Sequence, residues 1–138
     1  MIDVACAIIV SPSRQVLVTQ RSAKMRHPMK IEFPGGKVEL GESPTQCIVR
    51  EIKEELNLEI YPVFEMPPQV YAYPDLTIKL MPFICRVLDG EIRLKEHLAY
   101  AWLAHGDLMD LDWVEADIPV VKTYLTLVSS DHFINEFI

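Results

Sequence analysis

Hydrophobic and polar positions along the chain alternate between two periods. Ile2 to Val10 is an apolar, β-branched run, which predicts a buried strand. Ser11-Pro12-Ser13-Arg14 is a turn, and Gln15 to Gln20 (QVLVTQ) is a second strand, so the two are expected to form a hairpin. Arg21 to Lys30 carries charges and a proline and reads as a loop; Ile31 to Gly36 is a short extended piece ending in a turn. A helical period follows. Ser43 is a good N-cap, Pro44 fits the first helical position and Gln46 completes a capping box. Cys47, Ile48, Ile52 and Leu56 recur on one face, and Asn57 suits the left-handed residue that ends many helices. The pattern predicts a helix over 44–56.

Further strands are expected at Leu58–Phe64, Gln69–Tyr73, Leu76–Leu88 and Ala99–Leu103, with a short extended stretch at Glu91–Leu94. His105–Met109 reads as one helical turn and Ala116–Ser129 as the C-terminal helix. Strands before, between and after two helices predict an α/β fold, a mixed sheet with helices on both faces. The 138 residues suit one domain, 1–138, and half of them are hydrophobic, enough for a core without a disulfide or metal staple. Cys6, Cys47 and Cys85 are odd in number, widely spaced and set in apolar runs, so buried free thiols are expected. The apolar N-terminal stretch is too short for a membrane span and lacks a cleavage site. A cytoplasmic protein without a membrane partner is the expectation, as monomer or homodimer.

A net charge of −7 argues against a nucleic-acid coat protein, and no stable nucleic-acid complex is expected. It leaves room for a small anionic substrate, because a divalent metal inverts the local charge. Glu51, Glu54 and Glu55 stand at i, i+3 and i+4, on one helical face, where like charges repel. Two readings follow from spacing alone. The face is a solvated acidic surface relieved by Arg50 and Lys53, or it is an oxygen-rich ligand set suited to Mg²⁺ or Mn²⁺. Upstream, the glycines of Gly35-Gly36 let backbone groups approach a metal or phosphate closely. Arg50 next to Glu51 can hold a carboxylate in place.

Gly36, five residues, Glu42, seven residues, then Arg50-Glu51-Ile52-Lys53-Glu54-Glu55-Leu56-Asn57-Leu58 resembles the Nudix box, GX5EX7REUXEEXGU with U aliphatic. Every defined position matches but one: Asn57 stands where the family has a glycine, and asparagine tolerates the same left-handed backbone. Arg21, Glu32-Phe33-Pro34-Gly35-Gly36-Lys37, Lys95-Glu96-His97 and Asp117-Ile118-Pro119 are similar to the MutT-type branch. The resemblance implies the Nudix fold and Mg²⁺-dependent hydrolysis of a nucleoside diphosphate linked to a further group.

It also implies roles. Glu51, Glu54 and Glu55 correspond to metal ligands, with the Gly35 carbonyl as a backbone ligand and Glu96 as a loop ligand or base. Glu51 and Glu96 are the two candidate bases, with Arg50 and Glu42 completing the catalytic set. Arg21 corresponds to a substrate-binding arginine and Phe33 to a residue of the nucleoside pocket. Asp117 stands where strict 8-oxoguanine sanitisers carry asparagine; an ionised aspartate offers only acceptors to a base. Capping of the last helix is its alternative role. Tyr71 and Tyr73 alternate on a strand and share a face, which suits either stacking of a base or core or rim packing. The four histidines show no ligand spacing.

The expected activity is conversion of a nucleoside triphosphate, normal or oxidised, to the monophosphate and pyrophosphate, with a small-molecule nucleotide as the substrate. The alternatives are an ADP-ribose or dinucleotide pyrophosphatase, an RNA 5′-end pyrophosphohydrolase, or a non-catalytic nucleotide-sensing module. Intact carboxylates speak against the last.

Overall fold

The computed structural model describes residues 1–137. Its strands and helices, in chain order, are β1 (Ile2–Ile9), β2 (Val16–Gln20), β3 (Ile31–Glu32), β4 (Gly35–Lys37), α1 (Pro44–Leu56), β5 (Glu59–Glu65), β6 (Gln69–Tyr73), β7 (Leu76–Asp89), β8 (Ala99–Leu103), α2 (Ile118–Val128) and α3 (Asp131–Phe137). β1 explains the arrangement. Its Cys6 and Ile8 side chains, continued by Val10, join a core that includes Val120, Val121 and Tyr124 of α2. Ala5, Ala7 and Ile9 join a second core with Cys47, Ile48, Ile52 and Leu56 of α1. A strand buried on both faces reads as an unbroken apolar run, which is the pattern of Ile2 to Val10.

The strands form two sheets. One is mixed and five-stranded, ordered β4-β1-β7-β5, with β6 also on β7. Only β1 and β7 run parallel in it. The other is antiparallel and ordered β3-β2-β8. The expected β1–β2 hairpin is therefore not formed. The two strands touch at one bridge, Val10 with Val16, and then part into different sheets. The reason is edge occupancy: β4 and β7 take both edges of β1, so β2 has no ladder to join.

α1 follows its sequence signals closely. Ser43 Oγ accepts from the Gln46 N–H at 3.0 Å, and Gln46 Oε1 accepts from the Ser43 N–H at 2.9 Å. Asn57 closes the helix at φ 61°, ψ 29°. Each fully buried aliphatic side chain on its inner face contributes roughly 1.5–3 kcal/mol. Two other expectations change. Glu91–Leu94 lies outside any sheet, and the C-terminal helix divides into a 3-10 turn, Glu115–Asp117, followed by α2 and then the unforeseen α3. The three cysteines are free and buried. Among the described residues no helix is long and apolar enough to cross a membrane.

Candidate active site

The buried stripe of α1 leaves Glu51 facing β4. A Cβ at Gly36 would stand 2.3 Å from Cδ of Glu51 and 2.5 Å from each carboxylate oxygen. The bare glycine is thus the floor on which that carboxylate rests. Gly35 meets β1 as closely: a Cβ there would lie 2.0 Å from the Ala5 carbonyl oxygen. The Ala7 N–H donates to the Pro34 carbonyl, and the register pairs Ala5 with Gly36. In an antiparallel ladder this alternation turns the Gly35 carbonyl away from β1, where it is available as a ligand. Gly36→Ala is expected to shift the Glu51 carboxylate and lower kcat roughly 10²-fold, the loss typical of a displacement near 1 Å. Steady-state kinetics with far-UV circular dichroism as the folding control would show it; an unchanged kcat would mean Glu51 needs no such floor.

Arg50 is the organiser of the acidic face. Its guanidinium grips Glu42 with two bonds, Nε to Oε2 at 2.7 Å and Nη2 to Oε1 at 2.9 Å. Nη1 reaches Glu51 at 3.0 Å and Glu54 at 3.1 Å. Such forked, charge-assisted bonds fix carboxylates in orientation as well as distance. They hold the Glu42 carboxyl at about 2, well below the ordinary 4.5. Glu55, next along, has no such partner. Its carboxyl is driven well above the usual carboxylate range by burial first, and then by the charges of Glu51, Glu32 and Glu96. Its Oε2 is buried without a hydrogen bond.

Among the described residues, no three His, Cys, Asp or Glu side chains already converge as a cage. Arg50 instead occupies Glu51 and Glu54. The donor set nevertheless fits a hard divalent cation: carboxylate oxygens, one of them orphaned, crowded in mutual repulsion beside a free carbonyl.

A cavity of about 250 Å³ is lined by Glu55 and Asp117 together with Arg21, Phe33, Tyr73 and Ile78. Phe33 is buried against Trp113 at a ring separation of 4.7 Å. Asp117 is buried, and its Oδ2 accepts the Phe33 N–H at 2.9 Å. It makes no side-chain capping bond to α2, so the cap reading is replaced by a place in the cavity wall. Burial and the charge of Glu32 push its carboxyl up to about 8.

The loop between Arg21 and Lys30 folds over the cavity mouth. Arg26 pairs with Asp75, and His27 packs on the Tyr73 ring at 4.6 Å. Tyr73 lines the cavity, while the Tyr71 hydroxyl donates to Glu115 at 2.6 Å. Arg21 Nη1 donates to Glu32 Oε1 at 2.9 Å, and His97 Nε2 sits 2.7 Å from Glu32 Oε2. Glu96 itself is exposed, on the loop beside α1. Glu32 and His97 are the residues that sequence reasoning passed over. Both stand within the motifs that resemble the MutT-type branch, but their contact spans 65 positions and has no spacing signature.

The NUDIX domain profile matches residues 1–124. This chain belongs to the Nudix family of hydrolases. It is 33% identical over 122 residues to the 8-oxo-dGTP diphosphatase of Escherichia coli (strain K12), covering 87% of this chain and 93% of that one. To the CTP pyrophosphohydrolase of the same organism it is 31% identical over 127 residues, covering 92% and 93%. The solution structure of the E. coli ORF135 protein superposes with a TM-score of 0.81 at 30% identity, covering 95% of this chain and 93% of that one. The MutT protein from Methanosarcina mazei Go1 shares the fold, with a TM-score of 0.83 at 20% identity and coverage of 94% and 96%.

Proposed function

We propose that the protein hydrolyses a nucleoside triphosphate, normal or oxidised, to the monophosphate and pyrophosphate. The observation that carries this reading is a single, largely apolar cavity lined both by Glu55 of the α1 carboxylate row and by Asp117. The cavity is somewhat smaller than most ligand pockets, which run roughly 300–1,000 Å³. It suits a base and sugar, with the phosphates extending over α1. Relatives named as acting on 8-oxo-dGTP and on CTP support the same class.

Glu51, Glu54, Glu55, the Gly35 carbonyl and Glu96 are the groups that would hold Mg²⁺ or Mn²⁺. When bound, the metal supplies charge neutralisation along the phosphates and acidifies a water. The protein's own contribution is orientation. Arg50 and Gly36 aim Glu51, which takes the proton from the attacking water. Arg21, steadied by Glu32, neutralises substrate charge at the rim. Phe33 and Tyr73 wall the cavity in which the base is packed.

Asp117 tests base recognition. A carboxyl that can keep or release its proton either donates or only accepts, whereas asparagine carries a fixed donor and a fixed acceptor, so this pocket accepts more bases than one lined by asparagine, cytidine nucleotides among them. Asp117→Asn is expected to change the ratio of kcat/KM for CTP over 8-oxo-dGTP by roughly 5- to 150-fold, the worth of one polar contact of about 1–3 kcal/mol. The same variant has a stability signature. The folded pKa of about 8 lies above the ordinary 3.8, so the native state holds a proton that the unfolded chain releases. Wild-type stability therefore falls as pH rises from 3.8 towards 8. The Tm advantage of Asp117→Asn should grow across that window. A constant ratio and parallel Tm curves would remove Asp117 from the pocket.

A further inference from the structure

Loop residues that carry chemistry need support, and the support of Glu96 is visible. The Lys95 N–H donates to the Glu55 carbonyl at 3.2 Å, and the Leu98 N–H donates to the Gln20 carbonyl at 2.9 Å. The Arg93 N–H is bonded to the Leu56 carbonyl at 3.0 Å. The loop is thus stitched to the C-terminal end of α1 on one side and to β2 on the other. Between the stitches His97 turns inward. Its side chain is 2% exposed, and among the described residues its only hydrogen bond runs to Glu32 on β3, at 2.7 Å. Nδ1 is buried without a partner, so the imidazole has no second anchor. The Glu32 carboxylate is shared: one oxygen takes His97 and the other takes Arg21. Its own backbone is fixed as well, because Thr19 Oγ1 donates to the Glu32 carbonyl at 3.0 Å.

We infer that the buried Glu32–His97 pair is a positioning device: it seats the Glu96 loop against α1 and, through the same carboxylate, sets Arg21 at the cavity rim. His97 does not line the cavity; Glu32 does, with one carboxylate oxygen on Arg21 and the other on His97. Glu32 is half-buried on a two-residue strand that pairs with β2, a stiff anchor for two groups from distant parts of the chain. The physical logic is that of any outer-shell support. A long side chain aimed by one bond drifts, whereas a carboxylate held from both sides fixes both partners and lowers the ordering left for the substrate to impose. The inference rests on the roles proposed above for Glu96 and Arg21.

The test compares His97→Leu, which keeps bulk and removes the donor, with His97→Gln, which keeps a donor. Each is made in the wild-type chain and in Glu96→Gln. Loss of the anchoring bond should raise hydrogen exchange at the Lys95 and Leu98 amides by about tenfold in His97→Leu, with His97→Gln close to wild type. With Mg²⁺ and either CTP or 8-oxo-dGTP, kcat should fall roughly 10- to 100-fold in His97→Leu while KM changes less than about threefold. In Glu96→Gln the same substitution should add less than about threefold, because the group it positions is already gone. Unchanged exchange at both amides, or the same loss in both backgrounds, would overturn the device. If His97→Leu fails to fold, Glu32→Gln weakens the bond from the other side and is read by the same exchange measurement. A wild-type chain that turns over neither nucleotide defeats the proposed function, and the exchange data still decide the positioning role.

Discussion

Glu55→Gln is expected to abolish most activity and yet make the metal-free protein more stable. Glutamine keeps the shape and can donate to Glu51, so the fold is retained. Losing a charged ligand removes several kcal/mol of charge stabilisation at the reacting phosphate. At 1.36 kcal/mol per tenfold, that is about three orders of magnitude in kcat. The stability gain follows from the same carboxyl. Burial and the charges of Glu51, Glu32 and Glu96 raise its folded pKa above the ordinary 4.5. Native-state stability is therefore lost progressively as pH rises above 4.5. In chelator the variant should melt above wild type at pH 8, and the gap should close near pH 5. Adding Mg²⁺ should reverse the order, because only the wild type gains binding energy linked to the native state. Differential scanning calorimetry with and without metal, beside kcat, gives the comparison. Wild-type turnover by the variant at low Mg²⁺ would show that Glu55 holds no essential metal.

Glu51→Gln should cost roughly 10²–10⁴-fold in kcat, the usual worth of general-base catalysis, with Glu96→Gln costing less. Glu51 is held on one side by Arg50 at 3.0 Å and seated on Gly36 on the other, and only 14% of its side chain is exposed. Glu96 is exposed, and its aim depends on the His97 anchor beside it. A proton acceptor needs reproducible placement more than proximity alone. The comparison is made at saturating metal, so that weakened binding does not masquerade as lost chemistry. A larger kcat loss for Glu96→Gln would move the base to the loop and make Glu51 chiefly a ligand.

The sequence alone determined what depends on neighbours a few residues apart. The cap at Ser43, the buried stripe through Ile52 and the left-handed Asn57 are local, so α1 and its row of glutamates were legible together with the Nudix box. The buried character of β1 was legible too, since an unbroken apolar run has little other use. Tertiary structure alone decided where the ends of such elements meet. β1 and β2 read as a hairpin because turn chemistry is local, but β4 and β7 had already claimed both edges of β1. The same holds at the site. Asp117 caps nothing and instead receives the Phe33 amide from 84 positions away. His97 carries no spacing signal, yet its one bond, to Glu32, links the Glu96 loop to β3. Hydrogen bonds and burial between distant segments follow from packing in three dimensions, and no periodicity along the chain records them.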